Sequence, residues 1–76
     1  MKFFVNNLWV TERVFMKHLR NVCDQEELSL DRALHHLDEV GIFESEWCTF
    51  ECYVTKSGNL SELVPLRVYD YLVAKI

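Results

Sequence analysis

The stretch "SLDRALHHLDEVG", residues 29–41, constrains this chain more than any other part of it. Leu30, Ala33, Leu34, Leu37 and Val40 recur at the three- and four-residue spacing that lays one apolar stripe along an α-helix. Ser29 stands where an N-cap oxygen is needed, and Asp31 suits the positive end of the helix dipole. Gly41 supplies the left-handed residue on which many helices stop, leaving Ile42 and Phe43 to fold back onto the core. With the leucines inward, the step of about 100° per residue turns Asp31, Arg32, His35, His36, Asp38 and Glu39 towards water.

A stripe of this kind needs a partner within the chain. Thr11 can cap a second helix running from Glu12 to Cys23 or slightly beyond, with Val10 and Phe15 placed for a hydrophobic staple. Phe15, Leu19 and Val22 form its stripe, widened by Met16 and Cys23, and its far side carries Arg13, Lys17 and Arg20 one turn apart. From Trp47 the period drops to two: Cys48, Phe50, Cys52 and Val54 alternate with Trp47, Thr49, Glu51, Tyr53 and Thr55, the mark of a half-buried strand. "KSGN" is turn chemistry, and Leu60 to Val68 can return as a hairpin partner that Pro65 confines to an edge or ends. Phe3 to Val5 suits a short strand, while "NNLW" equally suits a backward extension of the helix that follows. The end, "VYDYLVAKI", fits a closing helix or a strand, and the spacing of Tyr69, Leu72, Val73 and Ile76 favours the helix. The expected fold class is α+β: two antiparallel-packed helices, a small antiparallel sheet and a C-terminal helix or strand.

At 76 residues the chain suffices for one core and no second domain. No window approaches the roughly 18 apolar residues that cross a bilayer, and the asparagine pair interrupts any signal-peptide core, so a cytoplasmic protein without membrane contact is expected. Cys23, Cys48 and Cys52 are odd in number and lack a disulfide spacing, which fits reduced thiols.

Site chemistry is sparse. Two imidazoles that share a metal on a helix sit at i, i+4, whereas His35 and His36 are adjacent and diverge. On a strand, Cys48 and Cys52 would lie about 13 Å apart, too far for one tetrahedral zinc. There is no glycine-rich phosphate loop and no nucleophile elbow, and a dyad of Cys23 with His18 or His35 would place its members on different helix faces. Neither catalytic residues, nor a metal, nor a cofactor is expected.

Charge is more informative. Between Asp24 and Glu51 nine carboxylates face one base, Arg32, a net of −8 within a chain whose total is −4. The molecule is therefore electrically two-sided. Asp31, His35, Asp38 and Glu39 on the helix, continued by Glu44, Glu46 and Glu51, would make a single-sign field that steers a basic partner. Trp47 and Tyr53, on the less apolar side of their strand, are candidate anchors within it. The expected function is a non-enzymatic acidic module that binds, and regulates or inhibits, a basic protein, such as one that handles nucleic acid. In general character, small acidic single-domain chains of this kind resemble the inhibitors that bacteriophages and mobile elements turn on host machinery.

A helix, a turn, a second helix ending in "LDEVGIF" and then the hairpin "WCTFECYVTKSGNLSELVPLRV" also resembles the second half of a winged helix-turn-helix domain. That resemblance implies a DNA-binding transcriptional regulator whose second helix enters the major groove, with phosphate contacts available from Arg13, Lys17, Arg20 and Lys56. The outward face of that helix is acidic, however, and phosphates repel it.

Overall fold

A computed structural model describes residues 1–55, 63–65, 69, 73 and 74. The elements are β1 (Lys2–Val5), β2 (Leu8–Val10), α1 (Glu12–Gln25), α2 (Leu30–Val40), β3 (Ile42–Glu44), β4 (Thr49–Thr55) and β5 (Leu63–Pro65). The α+β class expected from periodicity is the one observed.

The chain begins with a hairpin. Asn6 and Asn7 both adopt positive φ, 50° and 68°, the left-handed pair that a two-residue turn of matching twist requires. Val5 then pairs with Leu8, Phe4 with Trp9 and Phe3 with Val10. "NNLW" is thus turn and strand, so the reading of it as a helical extension gives way to the one that made Phe3–Val5 a strand. Asparagine tolerates the left-handed region because its short amide can bond locally. Here Asn6 reaches the start of β4: its side-chain Oδ1 accepts from Thr49 N at 2.9 Å while its backbone N–H donates to Thr49 O at 2.8 Å.

Both helices start as the sequence implies. Thr11 Oγ1 accepts from Val14 N and Ser29 Oγ from Arg32 N, each at 3.2 Å. Their ends differ. Gly41 stops α2 in the left-handed conformation at φ 80°, its N–H donating to Leu37 O and its carbonyl accepting from Cys52 N, which ties the helix stop to the sheet. At the end of α1, Leu28 N–H donates to Cys23 O and Glu27 N–H to Asp24 O, the paired bonds of a Schellman stop. The left-handed position there is Glu27, at φ 55°, where glycine would be free of strain.

All strand pairs are antiparallel. Seven-residue β4 is central, with β1 on one side and β3 on the other, giving the order β2-β1-β4-β3; β5 pairs with the far end of β4, Val54 opposite Val64. Strand β3 gives a definite form to the expected return of Ile42 and Phe43: Phe43 pairs with Phe50. In β5 Pro65 pairs with Tyr53; residues 66–68, the "KSGN" turn and most of "VYDYLVAKI" lie outside the described residues, and with them the expectation that Pro65 ends the pairing. One face of the sheet supplies Phe3, Val5, Phe50 and Cys52 to a core completed by Phe15, Met16, Leu19, Val22 and Cys23 of α1 and Ala33, Leu34 and Leu37 of α2. Phe15 sits at its centre, edge-on to Phe50 at 5.7 Å and tilted against Phe3 at 5.0 Å.

Candidate partner-binding surface

Because Phe50 and Cys52 enter the core, Glu51 and Tyr53 emerge on the opposite sheet face, away from the helices. There the Tyr53 hydroxyl donates to Glu51 Oε2 at 3.0 Å, and Phe4 and Ile42 lie beside Glu51 on the neighbouring strands. Partial burial, that hydrogen bond and the Glu51 charge push the Tyr53 phenol up to about 12. The acidic surface expected to run from α2 to Glu51 and Tyr53 is therefore divided by the sheet.

The outward side of α2 divides again. His36 leans towards β3: its Nδ1–H donates to the Ile42 carbonyl at 2.5 Å and its ring meets Phe43 edge-on, so this imidazole fixes the chain's departure from the helix. Arg32 and Glu44 line the same shallow depression as His36. On the other flank, Asp31, His35 and Asp38 gather around Tyr69. The Tyr69 hydroxyl donates to Asp31 Oδ1, its ring stacks on His35 with centroids 3.9 Å apart, and its backbone N–H donates to Asp38 Oδ1 at 2.8 Å. Asp31 Oδ2 also lies 3.6 Å from His35 Nε2. Glu39, between the two flanks, is exposed.

Beyond β3 the chain turns tightly. Ser45 N–H and Oγ both bond the Cys48 carbonyl, at 2.8 and 3.1 Å, and Ser45 Oγ accepts from Cys48 N at 3.0 Å. Glu46 N–H donates to Glu26 Oε1 at 3.0 Å, anchoring the turn to the end of α1. At its tip Trp47 is 76% exposed, the most exposed large apolar side chain among the described residues. Glu44 and Glu46, both exposed, flank it in sequence, and Glu26 lies beneath. Glu44, Glu46 and Trp47 are neighbours on and beside this turn, whereas Glu39 lies near the C-terminal end of α2, beyond the His36 that meets Ile42 at the start of β3.

Arg13, Lys17 and Arg20 are exposed on α1 and line an open groove with Met16, Leu28 and Leu30; Lys56 lies outside the described residues. The thiols of Cys23 and Cys52 are buried and held protonated. Burial, helped by the Glu26 charge, raises Cys23, and burial pushes Cys52 up to about 12. Among the described residues no three His, Cys, Asp or Glu side chains gather as metal ligands, and no helix is long and apolar enough to cross a membrane.

Sequence periodicity placed Tyr69 on the apolar spacing of a closing helix, not beside α2, and did not single out Glu26. Tyr69 carried a weak signal, an aromatic beside an aspartate in "VYDYL", whereas the Glu26 bond to a backbone 20 residues away had none. No protein-family profile, curated protein or solved structure matches this chain.

Proposed function

We propose that this chain is a non-enzymatic module that docks a basic protein, regulating or inhibiting it, with Trp47 as the anchor and Glu39, Glu44 and Glu46 as the steering charges. The observation that carries the reading is Trp47 itself, an indole 76% exposed on a turn held by the Ser45 and Glu46 hydrogen bonds. A large apolar group presented on a fixed backbone loses little conformational freedom on binding, and tryptophans so placed dominate interface energetics. The carboxylates beside it favour a basic partner, and a protein that handles nucleic acid offers such a surface because phosphates select basic grooves. Glu51 and Tyr53 lie on the sheet face turned away from the helices, a face that Glu44 shares through its pairing with Thr49.

The two groups of residues should fail in different ways. Trp47→Ala should raise the dissociation rate and weaken binding by about 2 kcal/mol or more, as loss of an interface anchor does. Glu39→Gln with Glu44→Gln and Glu46→Gln should slow association and flatten its salt dependence. Binding indifferent to both would remove the proposal.

A winged-helix regulator is the second reading, favoured by the exposure of Arg13, Lys17 and Arg20 along one side of α1. A titration against duplex DNA tests it: a steep salt slope, reduced when these three are neutralised, is the expected result, and no binding at low salt eliminates it.

A further inference from the structure

The open groove along α1 has the opposite character to the Trp47 turn. Arg13, Lys17 and Arg20 stand at i, i+4 and i+7, an exposed basic row, and Met16, Leu28 and Leu30 supply the apolar lining. Glu12 and Asp24, near the two ends of the helix, also line it, so three bases against two acids leave a net of +1. The groove measures about 810 Å³, within the roughly 300–1,000 Å³ of pockets that enclose a drug-sized group. Leu28 follows the Schellman stop of α1, its N–H held by the Cys23 carbonyl at 2.8 Å, yet it is 38% exposed. It is an apolar wall fixed in place and open to a ligand.

The Trp47 turn presents what such a groove takes. Its indole is 76% exposed on a backbone held by Ser45 and Glu46, flanked in sequence by Glu44 and Glu46, with Glu26 beneath. Glu26, whose carboxylate accepts the Glu46 N–H, stands two residues before Leu28, so knob and groove wall lie close together. Two copies joined by one such contact bring the second knob near the second groove, the self-complementary arrangement that closes as a twofold pair.

We propose that a second copy of this chain seats its Trp47 in the α1 groove, with Glu44 and Glu46 set against Arg13, Lys17 and Arg20. The inference rests on the reading of Trp47 as an anchor and adds its regulation: self-association buries the indole and competes with the basic partner for it. An aromatic anchor buries about 150–250 Å². With its flanking charges it still falls short of the about 800 Å² per partner of a standard interface, so the pair is weak and forms only at high concentration.

Sedimentation equilibrium of the full chain, from micromolar to millimolar concentration, tests this. The wild type should pass from monomer to dimer. Trp47→Ala should weaken association about 30-fold or more, and the combined Lys17→Glu, Arg20→Glu variant about tenfold or more. All three positions are exposed, so neither variant disturbs the core. Mixed together, the two should associate more tightly than either does alone, because one supplies an intact groove and the other an intact indole. Self-association through any other face would leave both variants dimeric and the mixture no tighter. That outcome, or a wild type that stays monomeric at millimolar concentration, would overturn the inference. If capture of a basic protein from a lysate still falls on Trp47→Ala in that case, self-association alone has failed; if capture is unchanged, the reading of Trp47 as an anchor falls with it.

Discussion

Replacing Asn6 tests how the first hairpin is tied to the sheet. Asn6 does two things: it holds a left-handed backbone at φ 50°, and its Oδ1 accepts the Thr49 N–H at 2.9 Å, at the point where β4 begins. Alanine loses both. A Cβ without a compensating polar group costs roughly 1–2 kcal/mol in that conformation, and the lost hydrogen bond about 0.5–1.5 kcal/mol. Asn6→Ala should therefore destabilise the fold by about 2–3 kcal/mol, a large share of the 5–15 kcal/mol typical of a domain. Asn6→Gly keeps the turn conformation and loses only the amide, so its cost should be about 1 kcal/mol. Urea unfolding followed by circular dichroism measures both, with an unchanged m-value confirming that stability alone has moved. Equal losses for the two variants would refute the assignment of strain to the backbone. Losses below about 0.5 kcal/mol in both would refute the role of Asn6 altogether, since that is the range of neutral surface changes.

Three further outcomes follow from local geometry and charge. Glu27 occupies the left-handed position of a Schellman stop, so Glu27→Gly should stabilise the protein by up to about 1 kcal/mol and raise Tm by several degrees in a thermal melt. The reverse change at the other helix end, Gly41→Ala, should cost roughly 1–2 kcal/mol in the same melt, because Gly41 is buried at φ 80°. In alkali, Tyr53 keeps its proton in the folded state to about pH 12 while the unfolded chain loses it near its ordinary value of 10.0. Stability should thus fall as pH rises through that window, and Tyr53→Phe should flatten the fall, with phenolate absorbance following the titration.

The elements that the sequence made legible are those with a long apolar period and orthodox ends. Helix α2 announced itself through Leu30, Leu34 and Leu37 between Ser29 and Gly41, and β4 through the alternation around Phe50 and Cys52. The first hairpin was obscure because its turn is Asn-Asn, without the glycine that usually marks such a turn, and because β2 has only three residues, too few to display a period. Strand β3 was hidden for the same reason of length. For the candidate surface, helical angles correctly turned Asp31, His35, Asp38 and Glu39 away from the core, but angles say nothing of what else meets that side. Tyr69 arrives there from 31 positions beyond Asp38, and the sheet separates Glu51 from the acids of α2; both are tertiary facts.

The central claim is that Trp47 and the carboxylates around it form a docking surface for a basic protein. The most direct measurement is quantitative capture from a lysate of the organism that encodes the chain, using the wild type beside Trp47→Ala and the combined Glu39→Gln, Glu44→Gln, Glu46→Gln variant. A basic protein retained by the wild type, released by salt and depleted on both variants is the predicted result. Retention of the same proteins in the same amounts by all three would contradict it.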